Sequence, residues 1–114
     1  MGKMNALAAL FVQGRQANDY EREELVNEAE KFSAFAVQGK TVALISPKGR
    51  FIIDLKTISK CEVVWFSFYA ARTTERIDFW YNKHSVKSLS DKLRNSQDKR
   101  VPMETIMTHY ATSE

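Results

Sequence analysis

Cys61–Tyr81, CEVVWFSFYAARTTERIDFWY, is the stretch that decides the fold. It holds both tryptophans of the chain, three of its seven phenylalanines and two of its four tyrosines. Its β-branched and aromatic runs flank a polar centre at Arg72-Thr73-Thr74, the pattern of a β-hairpin. Neighbouring strand side chains face opposite ways. Val64, Phe66 and Phe68 therefore share one face of the first strand; Val63, Trp65, Ser67 and Tyr69 share the other. The second strand divides into Ile77, Phe79 and Tyr81 against Arg76, Asp78 and Trp80. A two- or four-residue loop sets Ile77 and Phe79 beside Phe66 and Phe68, giving a wholly apolar face. An odd loop would mix Arg76 and Asp78 into that face, and burying charge without a partner is costly. The even register is expected, with Trp65, Tyr69, Arg76 and Trp80 together on the second face.

Outward from this hairpin, Thr41–Ser46 and Arg50–Leu55 flank Ser46-Pro47-Lys48-Gly49, a proline-early, glycine-late turn, and predict another hairpin. Upstream, Met4, Leu7, Ala8 and Phe11 follow helical spacing, with Gly14 as a stop. Asn18 and Glu21 have capping-box spacing, and Leu25, Ala29, Phe32 and Ala36 form one stripe ending at Gly39. These two segments predict an αα-hairpin. Downstream, Ser85 is positioned to cap a helix with Val86, Leu89 and Leu93 on one side. Asn95–Arg100 is a polar link, and Pro102 suits the first position of a last helix bearing Met103, Ile106, Met107 and Tyr110. The expected architecture is α+β: a four-stranded antiparallel sheet of two hairpins, an N-terminal αα-hairpin and two C-terminal helices, with residues 1–114 as a single domain. A chain of 114 residues buries roughly two-thirds of its unfolded surface, enough for one core.

Charge is unevenly spread. Residues 1–39 carry four basic and six acidic side chains, residues 40–100 thirteen and six, and residues 101–114 none and two. The basic region coincides with the sheet and the segment after it, which draws attention to anionic partners. Lys83, Lys87, Arg94, Lys99 and Arg100 are the candidate phosphate contacts, although Asp91 interrupts them. A solvated helix face is the commoner meaning of such a run.

The chemistry-bearing residues are few. His84 and His109 are the only histidines and Cys61 the only cysteine. No pair has metal-ligand spacing, and Cys61 opens an apolar strand, where an inert thiol is expected. Asp54 and Glu62 on neighbouring strands lack the lysine that a metal-dependent nuclease places after such carboxylates. The glycines at 2, 14, 39 and 49 are isolated, so there is no phosphate loop. Ala6–Val12 is too short to span a bilayer. No catalytic, cofactor or metal residue is assigned, and a cytoplasmic, non-enzymatic protein is expected.

Two functions fit the second face of the hairpin. One is a protein-interaction module: a regulator or inhibitor of a larger protein or nucleoprotein complex, of the kind found among phage and mobile-element accessory factors. Trp65, Tyr69, Arg76 and Trp80 are residue types enriched at binding hot spots. The other is nucleic-acid binding, with the same aromatics stacking on bases and the basic residues on phosphates. Pairing with a second copy is a further use of an exposed aromatic face. If helices cover that face, it is instead a second layer of core. The exposure of Trp65 and Trp80 decides between a surface and a core.

Overall fold

The computed structural model describes residues 14–58, 61–70 and 75–108. Its centre is a six-stranded mixed sheet, which replaces the expected four-stranded antiparallel one. The strands are β1 (Gly14–Gln16), β2 (Ala34–Gln38), β3 (Thr41–Ser46), β4 (Gly49–Ile58), β5 (Cys61–Ala70) and β6 (Arg76–Asn82). They lie side by side in the order β1-β6-β5-β4-β3-β2. β2 to β6 form an antiparallel meander, and β1 adds in parallel to β6. Among the described residues, three α-helices accompany the sheet: α1 (Asp19–Ala29), α2 (Lys87–Asn95) and α3 (Met103–Met107).

The expected αα-hairpin is overturned at its second member. The helix starts where the capping box places it: the Glu21 N–H donates to Asn18 Oδ1 at 2.8 Å, and the Asn18 N–H donates to Glu21 Oε1 at 3.2 Å. It stops at Ala29, and Ala34–Gln38 is a strand. The run AFAVQ fits a two-residue period as well as a helical one, and pairing with β3 settles the choice. Phe35 lies opposite Leu44 on one face, while Ala36 lies opposite Ala43 on the other. Gly39 turns this hairpin with φ of +59°, a conformation glycine adopts without strain. The expected first helix, with Met4, Leu7, Ala8 and Phe11, lies outside the described residues; Gly14, its expected stop, begins β1 instead.

Both anticipated hairpins are present, and the β5–β6 register is the even one. Phe66 pairs with Phe79 and Phe68 with Ile77. The turn at residues 72–74 lies outside the described residues. Side chains of successive strands line up in rows across the core face: Phe35, Leu44, Phe51, Phe68 and Ile77 in one, Val42, Ile53, Phe66 and Phe79 in the next. Phe66 and Phe79 stack with centroids 4.7 Å apart, and Phe51 meets Phe68 at 4.6 Å. α1 covers this face with Leu25, Val26 and Ala29, and α2 with Leu89, beside Val86. The latter helix is entered by a 3₁₀ turn, Lys83–Val86. Asn82, not Ser85, provides the cap there, accepting from the His84 N–H at 2.8 Å.

Among the described residues, the second face is covered over only part of its width. α3 inserts Ile106 against Ala36, Ala43 and Ile45, with Met103 and Val101 alongside. The alanines of β2 and β3 leave the depth that a helix needs; toward β5 and β6 the same rows end in Ser67–Asp78 and Tyr69–Arg76, and the neighbouring row from Gln38 and Thr41 ends in Trp65–Trp80. Pro102 precedes α3 as its cap. The polar link before it contains a 3₁₀ turn, Gln97–Lys99, and is held to the β2 edge by the Val101 N–H on the Phe35 carbonyl at 2.8 Å. Among the described residues, no helix is long and apolar enough to cross a membrane.

Candidate binding surface at the sheet edge

The second face brings Trp65, Tyr69, Arg76 and Trp80 together, but gives them different surroundings. Tyr69 is buried, at 7% exposure. Arg50 lies over its ring, 5.1 Å from the centroid, and donates to the carbonyl of Met107. Burial pushes the Tyr69 hydroxyl up; Arg76 and Arg50 pull it the other way. Arg76 donates to Asp78 Oδ2 through Nε at 3.0 Å and through a terminal nitrogen at 2.6 Å. Ser67 completes the group by donating to Asp78 Oδ1 at 2.9 Å. Burial alone would lower the Arg76 guanidinium's pKa, yet Asp78 leaves it raised. Tyr69 and Arg76 thus serve an internal polar network that fills the sheet's second face beside α3.

Trp65 and Trp80 end the adjoining row, as direct cross-strand partners. Trp65 is half-buried, whereas Trp80 is 46% exposed. β1 explains the difference. It pairs with β6 only over Arg76–Asp78, and the Ala17 N–H donates to the Asp78 carbonyl at 3.0 Å as the chain turns into α1. Among the described residues, β6 has no strand partner on that side beyond this point, and Trp80 stands there. Arg22 of α1 lies over its indole, 5.2 Å from the centroid, and is held there by Asp19.

The first turn of α1 and the last residues of β6 enclose a cleft of about 600 Å³. Its lining includes Asp19, Tyr20, Arg22, Glu23, Trp80 and Asn82. Tyr20, on the cleft rim, is 74% exposed. Tyr20 was not among the sequence candidates. Its signal was present: an aromatic in the first turn of an acidic helix, off the stripe of Leu25 and Ala29.

α1 is anchored firmly at this rim. Arg15 in β1 forms a two-pronged pair with Glu21, at 3.0 and 2.7 Å, and also reaches Glu75 at 3.2 Å. The Arg15 pair, with the capping hydrogen bond from Asn18, lowers the Glu21 pKa from 4.5 to about 2.

The basic candidates are spread over several elements, from the end of β6 to the β2 edge. Arg100 bridges Phe35 on β2, at the opposite edge of the sheet from β6. Four inter-strand steps separate those edges, about 19 Å. Lys99 lies over the Phe32 ring at 5.5 Å. Lys87 and Arg94 are exposed on α2 and share Asp91, at 3.4 and 3.5 Å. Lys83 is exposed in the 3₁₀ turn after β6. Asp54 is engaged by Thr41 at 3.1 Å, His84 is an exposed turn residue, and His109 and the Cys61 and Glu62 side chains lie outside the described residues. No family model, curated protein or solved structure matches this chain.

Proposed function

We propose that this chain is a non-enzymatic protein-interaction module that acts on a larger protein or nucleoprotein complex as a regulator or inhibitor. Trp80, Trp65 and Tyr20 are its contact residues. The observation that carries this reading is the nearly half-exposed Trp80, held by Arg22 on the rim of a cleft whose other rim is the exposed Tyr20. Tryptophan and tyrosine in a pre-formed recess are the residue types and setting of interface hot spots. The cation–π contact and the Asp19 pair hold the indole before binding, which reduces the ordering cost of association.

A protein is favoured over nucleic acid as partner because carboxylates share this recess and the basic side chains are dispersed around the molecule. The test is capture of a stoichiometric partner from cells that express the chain, followed by titration of that partner with the parent and Trp80→Ala chains. The variant should bind at least about tenfold more weakly, the scale of a hot spot. Equal binding by the variant, or binding only to RNA or DNA with a steep salt dependence, would overturn the reading.

A further inference from the structure

Resting on that reading, we infer that the partner supplies an extended segment that adds as a strand to the open end of β6 and places a lysine or arginine in the Tyr20–Trp80 cleft. Two independent features lead there. The first is the backbone. Because the Asp78 carbonyl points to β1, alternation along the strand directs the N–H and C=O of Trp80 to the same side. β1 ends opposite Asp78, so at Trp80 that side opens on the cleft. An extended chain lying there continues the pairing that β1 begins, which is the strand-addition mode of peptide recognition.

The second feature is the chemistry of the walls. Two aromatic rings, Tyr20 and Trp80, and the exposed carboxylate of Glu23 face the same space. Among the described residues, no ion pair uses Glu23. Aromatic faces with a nearby carboxylate select a cation. The fold already places one guanidinium, that of Arg22, over the Trp80 ring. A basic side chain from the partner would enter beside it, between Tyr20 and Glu23.

The probe is the acetylated, amidated pentapeptide TVRVT, titrated into the full chain to about 10 mM while the Trp80 indole N–H is followed by NMR. Saturable shifts of that resonance are expected. Affinity should fall at least about threefold for TVEVT, and likewise for TVRVT with the Glu23→Gln chain, the scale of one exposed charge contact. A copy methylated on every backbone nitrogen keeps the arginine but cannot donate to the edge, and it should give no saturable shift. Glu24→Gln, which lies on α1 outside the cleft lining, should change nothing. The inference is overturned if TVRVT leaves the indole unmoved, if TVEVT binds as well, or if the methylated copy does. Should TVRVT fail while Trp80→Ala still abolishes capture of the partner, strand addition is wrong and the interaction module stands. Should both fail, both are wrong.

Discussion

Trp65 and Trp80 are direct cross-strand partners on β5 and β6, yet only Trp80 is substantially open to solvent. The difference lies in the backbone around them. Trp65 has a strand on each side, whereas Trp80 lies past the end of β1, where the sheet edge meets the first turn of α1. The position that sequence parity assigns to the second face of a hairpin is therefore also the rim of a cleft.

Stability should depend on the two hairpin faces very differently. Phe66→Ala removes a fully buried ring stacked on Phe79 and should cost about 3–5 kcal/mol. Trp80→Ala should cost about 1 kcal/mol or less, since much of the ring is already in water. Urea denaturation of the two variants checks the contrast. Similar losses would mean that Trp80 is part of the core.

Asp78→Ala should rank between these, at about 2–4 kcal/mol. It leaves the largely buried guanidinium of Arg76 without its carboxylate and Ser67 without its acceptor. Recovery of stability in an Arg76→Leu/Asp78→Leu double variant, also measured in urea, is expected if the single loss arises from an uncompensated charge.

Two glycines should respond to alanine for different reasons. At Gly49 a Cβ would lie 2.3 Å from the Tyr69 carbonyl oxygen and 2.5 Å from the Phe68 ring, so the β4–β5 pairing must shift. A loss of about 1–3 kcal/mol is expected. At Gly39 there is space, but φ of +59° penalises a side chain by about 1 kcal/mol. Thermal denaturation should place Gly49→Ala below Gly39→Ala.

The clasp between Arg15 and Glu21 predicts a pH signature. The Glu21 carboxyl has its pKa lowered in the fold from 4.5 to about 2. Its stabilisation is therefore complete above pH 4.5 and is lost as the pH falls toward 2. Glu21→Gln retains the capping acceptor but removes the charge. The difference in Tm between parent and variant should be greatest near neutrality and close between pH 4.5 and 2. A gap that stays constant over that range would show that the ion pair contributes nothing.

Parity in Cys61–Tyr81 was sufficient to assign Phe66, Phe68, Ile77 and Phe79 to the core, because an alternating pattern with one apolar face admits one register. The same reasoning could not separate Trp80 from Tyr69. Parity names a face, whereas burial on that face depends on what packs over each row. β1 was not legible: Gly14-Arg15-Gln16 has no strand pattern, and its pairing is imposed by the β6 edge. Ala34–Gln38 was ambiguous because its alanines satisfy a helical stripe and a strand face equally, and the vacancy beside β3 decides. Dispersion of the basic residues followed from the strand order, which sets Arg100 at the opposite edge from Trp80.

Photo-cross-linking in cells tests the central claim most directly. A benzophenone side chain placed at Tyr20 should give a discrete adduct with one protein, and the adduct should disappear when Trp80→Ala is added. The same group at Lys48, exposed in the β3–β4 turn toward the far end of the sheet, should give none. Equal adducts from both positions, an adduct insensitive to Trp80→Ala, or an adduct with nucleic acid alone would contradict the assignment of this cleft as a protein-binding surface.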